Sequence, residues 1–148
     1  MTLNLVVDNS GSMIEGGRRF IERTVVRQFG RYLRTGKINS EARLYLLSDR
    51  LVETAWQPEE DVPEALLSPS GHLNVEVLMS APFLSSGKTV LISDFCFDTE
   101  EEQKIREWMA RQTTEKVVAV RIGEDASTSR VAEGKFAVEQ IEGLVSLL

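Results

Sequence analysis

Three stretches, Leu3-Asn4-Leu5-Val6-Val7, Thr89-Val90-Leu91-Ile92 and Lys116 to Ile122, are short, apolar and separated by segments of helical periodicity. Strands that lack polar alternation are buried on both faces, as in a parallel sheet covered by helices. A chain that alternates such strands with helices is restricted to a doubly wound α/β architecture, because parallel strands need crossover connections. At 148 residues, the expectation is a single domain over residues 1–148.

The segments between the strands refine this picture. Gly16 to about Thr35 reads as a helix, with Phe20, Val25, Phe29, Tyr32 and Leu33 on its apolar face and Gly36 as its stop. Arg43 to Ser48 is a strand, and Leu51 to Trp56 is its hairpin partner, an antiparallel edge. Short helices are expected over Glu60 to Leu67 and His72 to Met79, and a longer one from Thr99 to about Gln112, opened by a Thr99–Glu102 capping box. The tail reads as a short strand, Lys135-Phe136-Ala137, and a helix from Val138 to Leu147.

The opening strand leads into Asp8-Asn9-Ser10-Gly11-Ser12. One carboxylate and two hydroxyls at alternate residues around a glycine turn can converge on one small hard cation. Mg²⁺ seeks octahedral oxygen ligands and rarely takes a full set from protein, so such a site stays open to an outside donor. Its position beyond the carboxyl end of a strand is where ligands bind in open α/β sheets. The alternative is that Asp8, Ser10 and Ser12 simply cap the next helix.

The motif D-x-S-x-S and the strand–helix pattern that follows resemble the von Willebrand factor A (VWA) family, whose metal-ion-dependent adhesion site begins with this signature. The resemblance spans essentially the whole chain, including the hairpin and the closing strand–helix phrase. It implies a mostly parallel sheet with one antiparallel edge strand and helices on both faces. It also implies metal ligands at Asp8, Ser10, Ser12 and, at the end of a later strand, Asp94. The family's remaining ligand is a threonine, but the matching stretch Gly71-His72-Leu73-Asn74-Val75 places Leu73 there. Leucine cannot ligate a cation; Ser70, His72 or Asn74 could reach in only if that loop is shifted. Two alternatives remain: Mg²⁺ or Mn²⁺ held more weakly by Asp8, Ser10, Ser12, Asp94 and waters, or a scaffold that has lost the metal.

Other chemistries find little support. His72 is the only histidine and has no partner pattern for zinc or for a nucleophilic triad. Ser86-Gly87-Lys88-Thr89 mimics the end of a phosphate-binding loop but lacks the upstream glycine and is followed by a strand. Ser10 stands where an aspartyl phosphatase needs its second aspartate. A net charge of −6 disfavours nucleic acid. The arginines at 23, 27, 31 and 34 form one helical stripe, a solvated face or a surface for an acidic partner. Cys96 is the single cysteine, inside an apolar run, and reads as a buried small hydrophobe in a reducing compartment. No leader or membrane-length apolar run is visible, so the expected location is the cytoplasm.

The leading expectation is a non-enzymatic interaction module. It would present Mg²⁺ to an aspartate or glutamate of a protein partner, within a multi-protein stress or defence system. The resemblance suggests an AAA+ ATPase as that partner. The alternatives are a metal-free adaptor and, last, a metal-assisted hydrolase or phosphatase, which lacks a nucleophile and a general base.

Overall fold

The computed structural model describes residues 2–85, 87–95, 99–112, 116–123, 135–146 and 148; Cys96 lies outside them. Six strands form one sheet in the order β3-β2-β1-β4-β5-β6. They are β1 (Thr2–Asp8), β2 (Glu41–Leu47), β3 (Leu51–Thr54), β4 (Lys88–Ser93), β5 (Val117–Arg121) and β6 (Lys135–Ala137). All neighbours run parallel except β3, which returns antiparallel to β2 at the edge. The doubly wound sheet with one antiparallel edge strand is therefore as expected.

β1 lies at the centre, and its side chains divide the core. Leu3, Leu5 and Val7 face a cluster with Val25, Val26 and Phe29 of helix α1 (Arg18–Arg34) and Ile141, Leu144 and Val145 of α4 (Ile141–Val145). Val6 faces the opposite layer, where Leu78 of α2 (Val75–Met79) meets Ile105, Trp108 and Met109 of α3 (Thr99–Arg111). Helices thus cover both faces. Burying each such side chain is worth about 1.5–3 kcal/mol, which is why the central strands carry no polar alternation.

The chain leaves β1 through a 3₁₀ turn over Gly11–Gly17 and enters α1 after two glycines in the left-handed region, Gly16 (φ 58°) and Gly17 (φ 71°). A side chain would resist that conformation. The double reversal delays the helix to Arg18 and sets its phase, so Glu22, Val25, Val26, Phe29 and Tyr32 are buried. Phe20, expected on the apolar face, is instead 52% exposed, its ring under the Arg19 guanidinium at 4.8 Å. Gly36 ends the helix as expected, at φ 77°.

Two other segments differ from expectation. Glu60 to Leu67 contracts to a 3₁₀ turn at Glu64–Leu67, because Pro63 has no N–H to continue a helix from upstream. The segment from His72 to Asn74 is not helical, and only Val75–Met79 is. The closing helix begins as a 3₁₀ turn over Val138–Gln140 before α4.

The strand order places a topological switch between β1 and β4. β1 connects onward to β2 on one side, while β4 begins the other half of the sheet. Ligands of open α/β sheets bind at such a crevice, beyond the carboxyl ends of the strands. Val7 pairs with Ile92, so the next residues on each strand, Asp8 and Ser93, reach that edge together.

Candidate functional site

Asp8 is buried at the switch point and accepts three hydrogen bonds. Its Oδ1 takes the Ser10 amide at 2.9 Å and the Ser10 hydroxyl at 2.6 Å; its Oδ2 takes the Ser93 hydroxyl at 2.5 Å. Burial pushes the Asp8 carboxyl above its ordinary range, against the pull of Ser10 and Ser93, and the Asp94 charge adds to the rise. Because Ser10 Oγ spends its proton on Asp8, its lone pairs are directed elsewhere. Ser12 Oγ lies 3.4 Å from Ser10 Oγ.

Asp94 follows β4 and is buried beside Arg18, whose Nη1 donates to Asp94 Oδ2 and to the Ser12 carbonyl, both at 3.3 Å. One guanidinium thus ties the first loop to the end of β4. The next residue, Phe95, is held at φ 55°, a costly conformation for a bulky side chain. Its amide donates to Ser93 Oγ at 3.0 Å, and the cations of Lys135 and Arg121 lie over its ring at 4.9 and 5.8 Å. That turn fixes where Asp94 leaves the strand.

The capping alternative fails on geometry. Ser10 precedes the 3₁₀ turn without a side-chain cap bond, and α1 is preceded by Gly17, again with none. The hydroxyls of the motif are used on one another and on Asp8.

The structure therefore brings Asp8, Ser10, Ser12 and Asp94 to one edge. It disposes of the second loop differently. The loop is bound to the first by Gly11 N to Gly71 O and Ser70 N to Asn9 O, each at 2.9 Å. Leu73 turns into the α2–α3 core, 7% exposed. Asn74 is spent as the cap of α2, its side chain accepting from Glu76 N at 3.1 Å. His72 is exposed and bonded to Glu101 Oε1 at 2.6 Å. Ser70 sits exposed on the loop, adjacent to the first loop through its backbone. His72 and Asn74 are thus engaged away from the threonine's place.

Three residues of this edge escaped the sequence reading. Ser93 buttresses Asp8, Arg18 is the cation on Asp94, and Glu22 is a buried carboxylate of α1. A polar residue inside an apolar strand, and a charged one in phase with Val25, Val26 and Phe29, were the available signals.

The donor set fits a small hard cation. Octahedral ligands at ~2.0–2.1 Å stand about 2.9 Å apart along an edge, and the two serine hydroxyls need close only slightly to meet that. Among the described residues no three carboxylate, imidazole or thiol groups converge closely enough to share one ion. Two carboxylates, two hydroxyls and water are what remain, a set proper to Mg²⁺ or Mn²⁺ and not to zinc.

No protein-family model and no curated protein sequence matches this chain. Among solved structures, the SpRpn10 VWA domain is similar in fold, with a TM-score of 0.53 at 13% identity, covering 93% of this chain and 86% of its own. An aerotolerance-related membrane protein from Bacteroides fragilis, mutated at several positions to serine, overlays at 0.49 and 12% identity, over 83% of this chain and 68% of that one. A von Willebrand factor type A protein from Catenulispora acidiphila overlays at 0.46 and 12% identity; the match spans 98% of this chain but 40% of that one. The chain has a VWA-like α/β fold.

Proposed function

We propose that this protein is a non-catalytic interaction module that docks a partner protein at the carboxyl edge of its sheet. Asp8, Ser10, Ser12 and Asp94 would hold Mg²⁺ or Mn²⁺. When bound, the cation supplies an open position for an aspartate or glutamate of the partner. The Ser10 hydroxyl on the buried, triply bonded Asp8, with the Ser12 hydroxyl 3.4 Å beyond it at the sheet's switch point, carries this reading. The chain's own residues do the rest: Ser93 and the Ser10 amide hold Asp8 in one orientation, and the Phe95 turn presents Asp94. The neighbouring surface suits a protein, since Ile14, Phe20 and Ile21, within an eight-residue stretch just past Ser12, are exposed large apolar side chains. An AAA+ ATPase in a multi-protein system is the partner class the VWA resemblance favours.

Thermal unfolding tests the reading. Excess Mg²⁺ or Mn²⁺, against EDTA, should raise the midpoint of the wild type and leave Asp8→Ala unmoved. A ligand at 100 times its Kd adds about 2.7 kcal/mol. If millimolar Mn²⁺ leaves the wild-type midpoint in place, the cation reading is wrong.

One observation favours a second reading, a metal-free adaptor. Arg18 already neutralises Asp94, and Leu73 fills the core where a ligand would stand. In that case partner capture in a pull-down would be the same with EDTA as with Mg²⁺.

A further inference from the structure

Helix α1 buries a carboxylate that nothing among the described residues satisfies. Glu22 has no exposed surface, and among the described residues neither of its oxygens has a hydrogen-bond partner. It shares its helix face with Val25, Val26 and Phe29, where methionine or leucine would pack without cost to solvation. The charges that bear on it are those of Asp8 and Asp94, and both repel it. Burial first, and those two charges next, raise its carboxyl well above the ordinary range.

Glu22 lies one helical turn beyond Arg18, whose guanidinium holds Asp94, and a cation at that edge would balance a carboxylate that lacks a partner of its own. We propose that Glu22 is the third acidic group of the cation site, a positioning charge supplied by α1 that strengthens divalent-ion binding at Asp8 and Asp94. The inference rests on the cation reading above. Glu22 acts on the ion through the field and not as a ligand, given that no three acidic groups converge on one point among the described residues. In a low-dielectric interior a full charge weighs on a divalent ion without touching it.

Mn²⁺ alone is the probe, with free ion read by electron paramagnetic resonance and the fold by thermal unfolding in EDTA. Glu22→Gln, of equal size and without the charge, should weaken Mn²⁺ binding by about tenfold or more, equivalent to about 1.4 kcal/mol. In EDTA the same variant should melt at or above the wild-type midpoint. Glu22→Asp, which keeps the charge, should retain more of the affinity than Glu22→Gln. Equal Mn²⁺ affinity in wild type and Glu22→Gln overturns this inference and leaves the cation reading standing. So does a Glu22→Gln protein less stable in EDTA, which would make the group structural. A wild type that binds no Mn²⁺ overturns both.

Discussion

Helix α1 carries two ionic environments on opposite sides, and they behave in opposite ways. On the solvent side Arg27 Nε and Asp61 Oδ1 meet at 2.9 Å, both exposed, and the hydrogen bond from Arg27 holds the Asp61 carboxyl down at about 2. On the core side, Glu22 is pushed up by burial and by the charges of Asp8 and Asp94. The exposed pair is well formed and surrounded by water, so it is worth little to folding. The buried group has no hydrogen-bond partner among the described residues, and burial, Asp8 and Asp94 all disfavour its charge. A short ion-pair distance therefore says less about function here than a buried oxygen with no partner.

Arg18 lies between these extremes, and its removal should have the largest effect. Its side chain is 26% exposed while its partner Asp94 is buried. Arg18→Met keeps the stem and deletes the charge, leaving a buried carboxylate without its guanidinium. In EDTA this should cost about 1–3 kcal/mol in urea unfolding. Saturating Mn²⁺ should recover part of that loss, because the ion then balances Asp94. Affinity for Mn²⁺ should rise, since Arg18 no longer competes. If Arg18→Met melts like the wild type in EDTA, the core-side groups are as well solvated as Asp61 and the contrast collapses.

The sequence made the scaffold legible and hid the balance of charges. Unalternating β-branched runs located β4 and β5, and the position of Asp94 just past β4 follows from the strand boundary. The first-loop candidates were legible because they are local: Asp8, Ser10 and Ser12 lie within five residues. Ser93 was not, since its bond to Asp8 spans 85 residues of chain and depends on the β1–β4 register. Glu22 was obscured because periodicity is read from apolar residues, and the Gly16-Gly17 reversal shifted the helix phase away from Phe20. The loop alternatives at His72 and Asn74 turned on an exposed contact with Glu101 and on local capping, neither of which a ligand pattern encodes.

The core side should also show itself in pH dependence of moderate size. Glu22 and Asp8 both have raised values in the fold, so the folded chain retains protons that the unfolded chain has released. Their contribution is complete below the ordinary values of 3.8 and 4.5 and is lost as pH rises through the raised folded values. Without divalent ions, stability should therefore fall on going from pH 5 upward, by at most about 1.4 kcal/mol per pH unit for each group. Glu22→Gln should flatten the slope. A cation-free profile that rises across this range in the wild type, or is unchanged in Glu22→Gln, would show that Glu22 does not titrate differently in the fold.

The smallest effect belongs to the solvent side. Asp61 is lowered, so any stability from its pair is present above 3.8 and lost as pH falls toward 2, the reverse of the Glu22 case. Water screens both partners, and the backbone bond from Val62 N at 2.8 Å keeps Asp61 placed without Arg27. Arg27→Gln should leave the melting midpoint at neutral pH unresolved from wild type, and Mn²⁺ affinity with it. What should change is the Asp61 titration itself: followed by carboxyl NMR, its midpoint should move up toward the ordinary value. An Arg27→Gln loss as large as that of Arg18→Met would mean that exposure does not separate the two faces of α1.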